Sequence, residues 1–159
     1  MKYLSAPWRW GFVCGSKKGN GCVFCRAQQQ DDPEAMICWR GKKFFVLMNK
    51  YPYSSGHLLI APYAHLSKPA DMANGDLPEM WELTNRSLAI LEENFQPEGF
   101  NIGMNIGKAA GAGVKEHFHQ HIVPRWQGDA NFMATTGQTR VLSFDLEKVF
   151  HIIADAFKK

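Results

Sequence analysis

Three histidines occupy alternate positions in the run His117-Phe118-His119-Gln120-His121-Ile122-Val123. In an extended strand alternate side chains share a face, so the imidazoles line one side at about 7 Å intervals while Phe118 and Gln120 take the other. A neutral imidazole is a good nucleophile toward phosphorus, and imidazole neighbours can steer its tautomer, stabilise oxyanion charge and protonate a leaving group. The upstream loop, Gly103 to Gly113 (GMNIGKAAGAG), would let backbone amides approach a phosphate closely. It lacks the G-x-x-x-x-G-K-[ST] order of a P-loop, and taken alone it is a strand connection.

A second cluster is Cys22-Val23-Phe24-Cys25, spaced like metal ligands or a redox pair. A closed tetrahedral zinc site needs two more donors. Cys14 and Cys38 would complete a four-cysteine site, or histidines would come from later strands; the spacing favours neither. Buried structural thiols are the third reading.

These residues must be positioned by short elements. Gly15 to Gly21 (GSKKGNG) and Gln28 to Glu34 (QQQDDPE) are polar breakers, so the C-x-x-C sits on a short knuckle between two loops. Ala35 to Arg40 and Lys43 to Asn49 read as a hairpin divided by Gly41, and His57 to Ala61 as a third strand. Asp76 can cap a helix with Pro78 and Glu79 in its first turn, and Met80, Leu83, Ser87, Leu88 and Leu91 form one stripe up to about Asn94. Phe100 to Asn105 and His117 to Pro124 are two further strands, and Phe144 to Phe157 has helical periodicity. Strands joined by short turns, with one long helix between two groups, predict an antiparallel α+β domain. Phe44, Phe45 and Tyr53 are candidates for the apolar wall of a base pocket, and His151 is read as structural.

At 159 residues, 45% hydrophobic and 21% charged, the chain has the size and composition of one globular domain. A disordered tail, a collagen-like repeat and a multidomain array are excluded. Its net charge of +3 suits an anionic small molecule and is too weak to argue for a stable nucleic-acid partner. The apolar run from Leu58 to Ala64 falls well short of the roughly 20 residues that span a bilayer. Pro7 and Arg9 interrupt the N-terminus before an apolar signal segment can form, so a soluble, cytoplasmic protein without a membrane partner is expected.

The triad run resembles the histidine triad (HIT) superfamily, whose signature is His-φ-His-φ-His-φ-φ with φ apolar; Gln120 departs from it at one φ position. The resemblance extends from about Trp8 through Met133, through Asn49, His57 in GHLLIAP, GFNIGMNIG at Gly99 to Gly107, and PRWQGDANFM at Pro124 to Met133. It is strongest toward the bacterial diadenosine tetraphosphate hydrolase and phosphorylase branch.

The resemblance implies a single HIT domain over 1–159, an antiparallel sheet of about five strands with a long and a C-terminal helix. Its parts would be a zinc knuckle at about 14–34, the triad strand at about 117–124 and the C-terminal helix at about 144–158. It implies that His119 attacks the α-phosphorus of a nucleotide, that His121 assists the leaving group, and that His57 holds the nucleophile's tautomer. Asn49 would contact a ribose and Asn105 the phosphate. Where relatives carry Ser or Thr before the triad, this chain has Gly113-Val114-Lys115-Glu116, so backbone amides of the loop at Gly111 and Gly113, or Lys115, are expected to take that contact. Zinc-containing relatives imply a structural zinc on Cys22, Cys25, His65 and His117, with His117 serving both sites.

The implied activity is nucleotidyl hydrolysis or transfer on a nucleoside 5′-phosphoric anhydride, with diadenosine tetraphosphate as the expected substrate, in a homodimer. Phosphorolysis and nucleoside phosphoramidase activity are the alternatives within the family. A non-catalytic zinc module for nucleotide or RNA is the alternative from another class.

Overall fold

A computed structural model describes residues 21–73, 75–129, 136 and 145–159. Cys14, residues 130–133 of the extended motif and position 144 of the expected C-terminal helix lie outside them. The elements run α1 (Val23–Ala27), α2 (Asp32–Ala35), β1 (Ile37–Arg40), β2 (Phe44–Met48), β3 (Leu58–Pro62), α3 (Leu77–Phe95), β4 (Gly99–Met104), β5 (Gln120–Arg125) and α4 (Leu146–Phe157). The strands form one antiparallel sheet in the order β1-β2-β3-β5-β4, which is the expected α+β architecture.

Strand alternation divides the core in two. Phe44, Val46, Met48, Leu58, Ile60 and Ile122 face α3 and α4, which contribute Met80, Leu83, Ile90, Leu91, Val149, Phe150, Ile153 and Phe157. On the other face Phe45, Leu47, Leu59 and Ala61 pack under Phe24, Ala27 and Ala35 of α1 and α2. Cover on both faces explains why every residue of β2 and β3 is buried, and why both read as continuous apolar runs. Phe44 and Phe45 are spent in these two cores and cannot wall a pocket.

The C-x-x-C lies on a short helix: Cys22 is the N-cap of α1 and Cys25 lies within it. Two local expectations are corrected. Asp76 makes no capping hydrogen bond; it has helical dihedrals itself, and its carboxylate lies 3.9 Å from Lys43 Nζ. Glu79 turns instead to the β1–β2 turn, where Oε1 accepts from the backbone N–H groups of Lys42 at 2.7 Å and Lys43 at 3.1 Å. The triad strand is assigned only from Gln120, because residues 117–119 bond elsewhere: Phe118 N–H donates to Leu66 O at 2.7 Å. The C-terminal helix is capped by Asp145, whose side chain accepts from Lys148 N–H. Among the described residues no helix is long and apolar enough to cross a membrane.

Candidate active site and metal centre

Register sets the histidine geometry. His121 pairs with Leu59 on β3 and with Gly103 on β4, so His57, two residues before Leu59, falls on the same sheet face and diagonal to His121. Gly103 leaves the neighbouring position without a side chain, and a Cβ there would meet nothing within 4 Å.

The hydrogen bonds fix where the protons sit. His57 is fully buried, and its Nδ1 accepts from Tyr53 N–H at 3.1 Å. Its proton therefore resides on Nε2, which donates to His121 Nδ1 at 2.9 Å. That leaves the His121 proton on Nε2. His119 Nδ1 lies 3.0 Å from the carbonyl of His117, which can only accept, so Nδ1 carries the proton and Nε2 keeps its lone pair. Burial pushes His119 below the ordinary imidazole range, favouring the neutral form, while the bond to the His117 carbonyl opposes this. The carbonyl of His117 is thus the partner of His119 Nδ1, and His57 is the partner of His121 Nδ1.

Ring contacts surround the same histidines. Tyr53 lies 4.8 Å from His57 and 5.9 Å from His121 between ring centroids. Phe24, between the two cysteines, lies 4.6 Å from His119 and 5.1 Å from His117. The Phe24 contact had no signal in the sequence beyond an aromatic residue inside a C-x-x-C.

The expected metal donors converge. Cys22 Sγ and His117 Nδ1 are 3.3 Å apart, Cys25 Sγ and His65 Nδ1 3.3 Å, and Cys25 Sγ and His117 Nδ1 3.6 Å. All four donor atoms lie within 4.8 Å of one another. Tetrahedral zinc with bonds of about 2.0–2.3 Å separates its donors by about 3.3–3.8 Å, a range that these three separations match, so the set could hold the ion. His117 Nε2–H donates to Pro62 O at 2.9 Å, which aims the Nδ1 lone pair at the thiols, as an outer partner of a metal-bound histidine does. Burial, followed by the hydrogen bond and charge of Cys22, pushes the Cys25 thiol up, opposite to the depressed thiol that a redox pair uses. Cys38 lies in the helix-side core and does not join the cluster.

The expected substrate residues are placed less tightly. Asn49 Nδ2 lies 3.3 Å from His57 Nδ1 and its Oδ1 accepts from Tyr51 N–H, so the side chain is engaged beside a site histidine. Asn105 is half-buried just past β4. Gly111, at φ +81°, and Gly113 are exposed on the connecting loop. Lys115 points its ammonium to Glu116 at 3.6 Å, with both side chains in solvent.

The model of the HIT domain matches residues 31–128, which include His57, His65 and the whole triad. The chain is 37% identical over 119 residues to a Mycobacterium tuberculosis protein named AP-4-A phosphorylase, covering 75% of this chain and 61% of that one. It is 33% identical over 85 residues to the bis(5'-adenosyl)-triphosphatase of Dictyostelium discoideum, covering 54% of this chain and 56% of that protein. The chain thus spans less than two thirds of either relative. The crystal structure of a Zn-bound histidine triad family protein from Mycobacterium smegmatis superposes with a TM-score of 0.69 at 26% identity, covering 87% of this chain and 94% of that one. A triad held in register by β3 and β4, backed by a buried histidine and lying within a family match of more than half the chain, makes this protein a member of the HIT domain family.

Proposed function

We propose that the protein is a nucleotidyl hydrolase or transferase that opens a nucleoside 5′-phosphoric anhydride through a nucleotidyl-histidine intermediate on His119, with diadenosine tetraphosphate as the expected substrate. The observation that carries this reading is the pair of opposed tautomers: a lone pair on His119 Nε2 beside a proton on His121 Nε2. In the first step His119 Nε2 bonds to the α-phosphorus, the bridging P–O bond breaks, and the His121 Nε2 proton moves toward the departing oxygen. In the second, an acceptor oxygen displaces His119 and returns a proton to His121. Asn49 and Asn105, and the amides of Gly111 and Gly113 or Lys115, are assigned to the ribose and the phosphates. The four-donor cluster is assigned to zinc, whose chemistry there is to fix the ring of His117 as a structural ligand.

The acceptor distinguishes two activities. Water gives hydrolysis. The relative named AP-4-A phosphorylase favours a second reading in which inorganic phosphate is the acceptor. Incubation with diadenosine tetraphosphate, with and without phosphate, separates them: AMP plus ATP marks hydrolysis, ADP plus ATP marks phosphorolysis, and no turnover in either condition refutes both. A non-catalytic nucleotide or RNA module is tested by His119→Ala, which in an enzyme folds and binds nucleotide without turning it over.

A homodimer is part of the same proposal, as is a single HIT domain over the full 1–159. Strand β4 lies at the sheet edge, Ile102 on it is 41% exposed, and Trp81 on α3 is 56% exposed. A sedimentation mass near 18.0 kDa, that of one chain, would contradict the dimer. Free thiols at Cys22 and Cys25 suit the reducing cytoplasm assigned to the protein.

A further inference from the structure

The side chains around His119 contain one contact that neither proton transfer nor metal ligation uses. Phe24 is 4% exposed, belongs to the core under α1, and sets its ring 4.6 Å from His119 at 41° and 5.1 Å from His117 at 45°. It stands between the N-cap residue Cys22 and Cys25 of a five-residue helix, so the backbone that presents the two thiols also presents this ring. On its other side the His119 imidazole meets His121 at 4.9 Å and 59°. The bond from Nδ1 to the His117 carbonyl fixes one edge of the imidazole but leaves rotation about that hydrogen bond open. A buried ring packed at this tilt against the imidazole removes that freedom, because turning the imidazole would drive it into Phe24 or His121.

We propose that Phe24 is a positioning residue for the nucleophile, holding the His119 ring so that Nε2 points at the incoming phosphorus. This rests on His119 being the nucleophile. The consequence is that the knuckle grips His119 twice: by the carbonyl of the metal-donor residue His117, and by the ring carried between the cysteines. The second grip is independent of the metal's charge and acts by packing alone. Attack on phosphorus requires an aligned lone pair, so a loosened ring lowers the rate of bond formation without changing how tightly the nucleotide is held.

The test uses full-length, metal-loaded protein and diadenosine tetraphosphate, comparing wild type with Phe24→Leu and Phe24→Ala. Metal content is measured by elemental analysis, the His119 tautomer by 15N-histidine NMR, with its signal assigned by loss in His119→Ala, and nucleotidyl-enzyme formation by single-turnover quench. With metal content unchanged, Phe24→Ala is expected to lower the single-turnover rate and kcat about tenfold or more. KM stays within about twofold, the 15N signals of His119 move toward mixed tautomers, and Phe24→Leu recovers most of the rate because its side chain still fills the space. If Phe24→Ala loses its metal, the metal-replete Phe24→Leu variant decides, with a smaller fall in rate in the same direction. A wild-type rate in the metal-replete variants overturns the proposal, as does a loss carried by KM alone, or one that follows metal content. Failure of wild type to form any nucleotidyl-histidine is a different result and overturns the proposed reaction instead.

Discussion

Replacing His57 by Phe isolates the tautomer relay behind the triad. The imidazole of His57 is fully buried, accepts from the Tyr53 amide at 3.1 Å and donates to His121 at 2.9 Å. Phenylalanine keeps a flat ring against Tyr53 but removes both of these bonds and the 3.3 Å contact with Asn49 Nδ2. A neutral hydrogen bond contributes about 0.5–1.5 kcal/mol net, and a buried group left without its partner costs about 1–3 kcal/mol. Loss of the donor to His121 Nδ1 thus removes roughly 1 kcal/mol of preference for a proton on Nε2, about a fivefold change in population, before any loss of ring orientation. General acid catalysis as a whole is worth about 10²–10⁴-fold, which bounds the effect from above. The expected result is a fall in kcat of about 5- to 100-fold for diadenosine tetraphosphate. For a nucleotide ester with a nitrophenolate leaving group, which departs without a proton, the fall stays within about threefold. Steady-state rates on both substrates, with circular dichroism to verify folding, provide the assay. An equal loss on the two substrates would refute the relay and leave His57 a packing residue.

Three further outcomes follow from other parts of the structure. Chelation, or Cys22→Ser, should abolish the metal content and lower the melting temperature by several degrees at least, since metal bound only by the folded state adds its binding energy to stability; an unchanged melting curve in the metal-free protein would show the cluster to be unused. Gly41→Ala should lose about 1–3 kcal/mol in urea unfolding, because a Cβ there would collide with Glu79 Oε1 and lie 2.9 Å from the backbone oxygen of Phe44. Gln120→Leu should leave kcat and KM at wild-type values and change stability by no more than about 1 kcal/mol: its side chain bonds Thr84 Oγ1 on the helix side of the sheet, and that hydroxyl still donates to Met80 O. A kinetic defect in Gln120→Leu would mean that the two faces of β5 are not separate.

The alternation at His117, His119 and His121 was legible because a strand converts spacing into a shared face, and the C-x-x-C because metal spacing is local. Which histidine serves which was not. His57 reaches His121 only because Leu59 pairs with His121, a register decided by the burial of Leu58, Ile60 and Ile122 on the opposite face. The short helix at Cys22 was hidden because five residues carry no periodicity. Asp76 carried a capping pattern, yet its helix begins one residue later without the cap bond. The tilted contact of Phe24 with His119 joins residues 95 apart and depends on how α1 lies across the sheet, which local pattern does not encode.

The bond between Cys22 and His117 also spans 95 residues, and this bears on how the chain acquires its reactivity during synthesis. Three of the four metal donors, Cys22, Cys25 and His65, emerge from the ribosome early, and His117 follows His65 by 117 − 65 = 52 residues. At roughly 5–20 residues per second that is an interval of about 3 to 10 s in which the thiols have no triad to hold. The proposed nucleophile, His119, follows the last of these donors by only two residues. The last candidate metal donor and the proposed nucleophile are therefore synthesised together, so the C-x-x-C waits for the same stretch of chain that completes the triad.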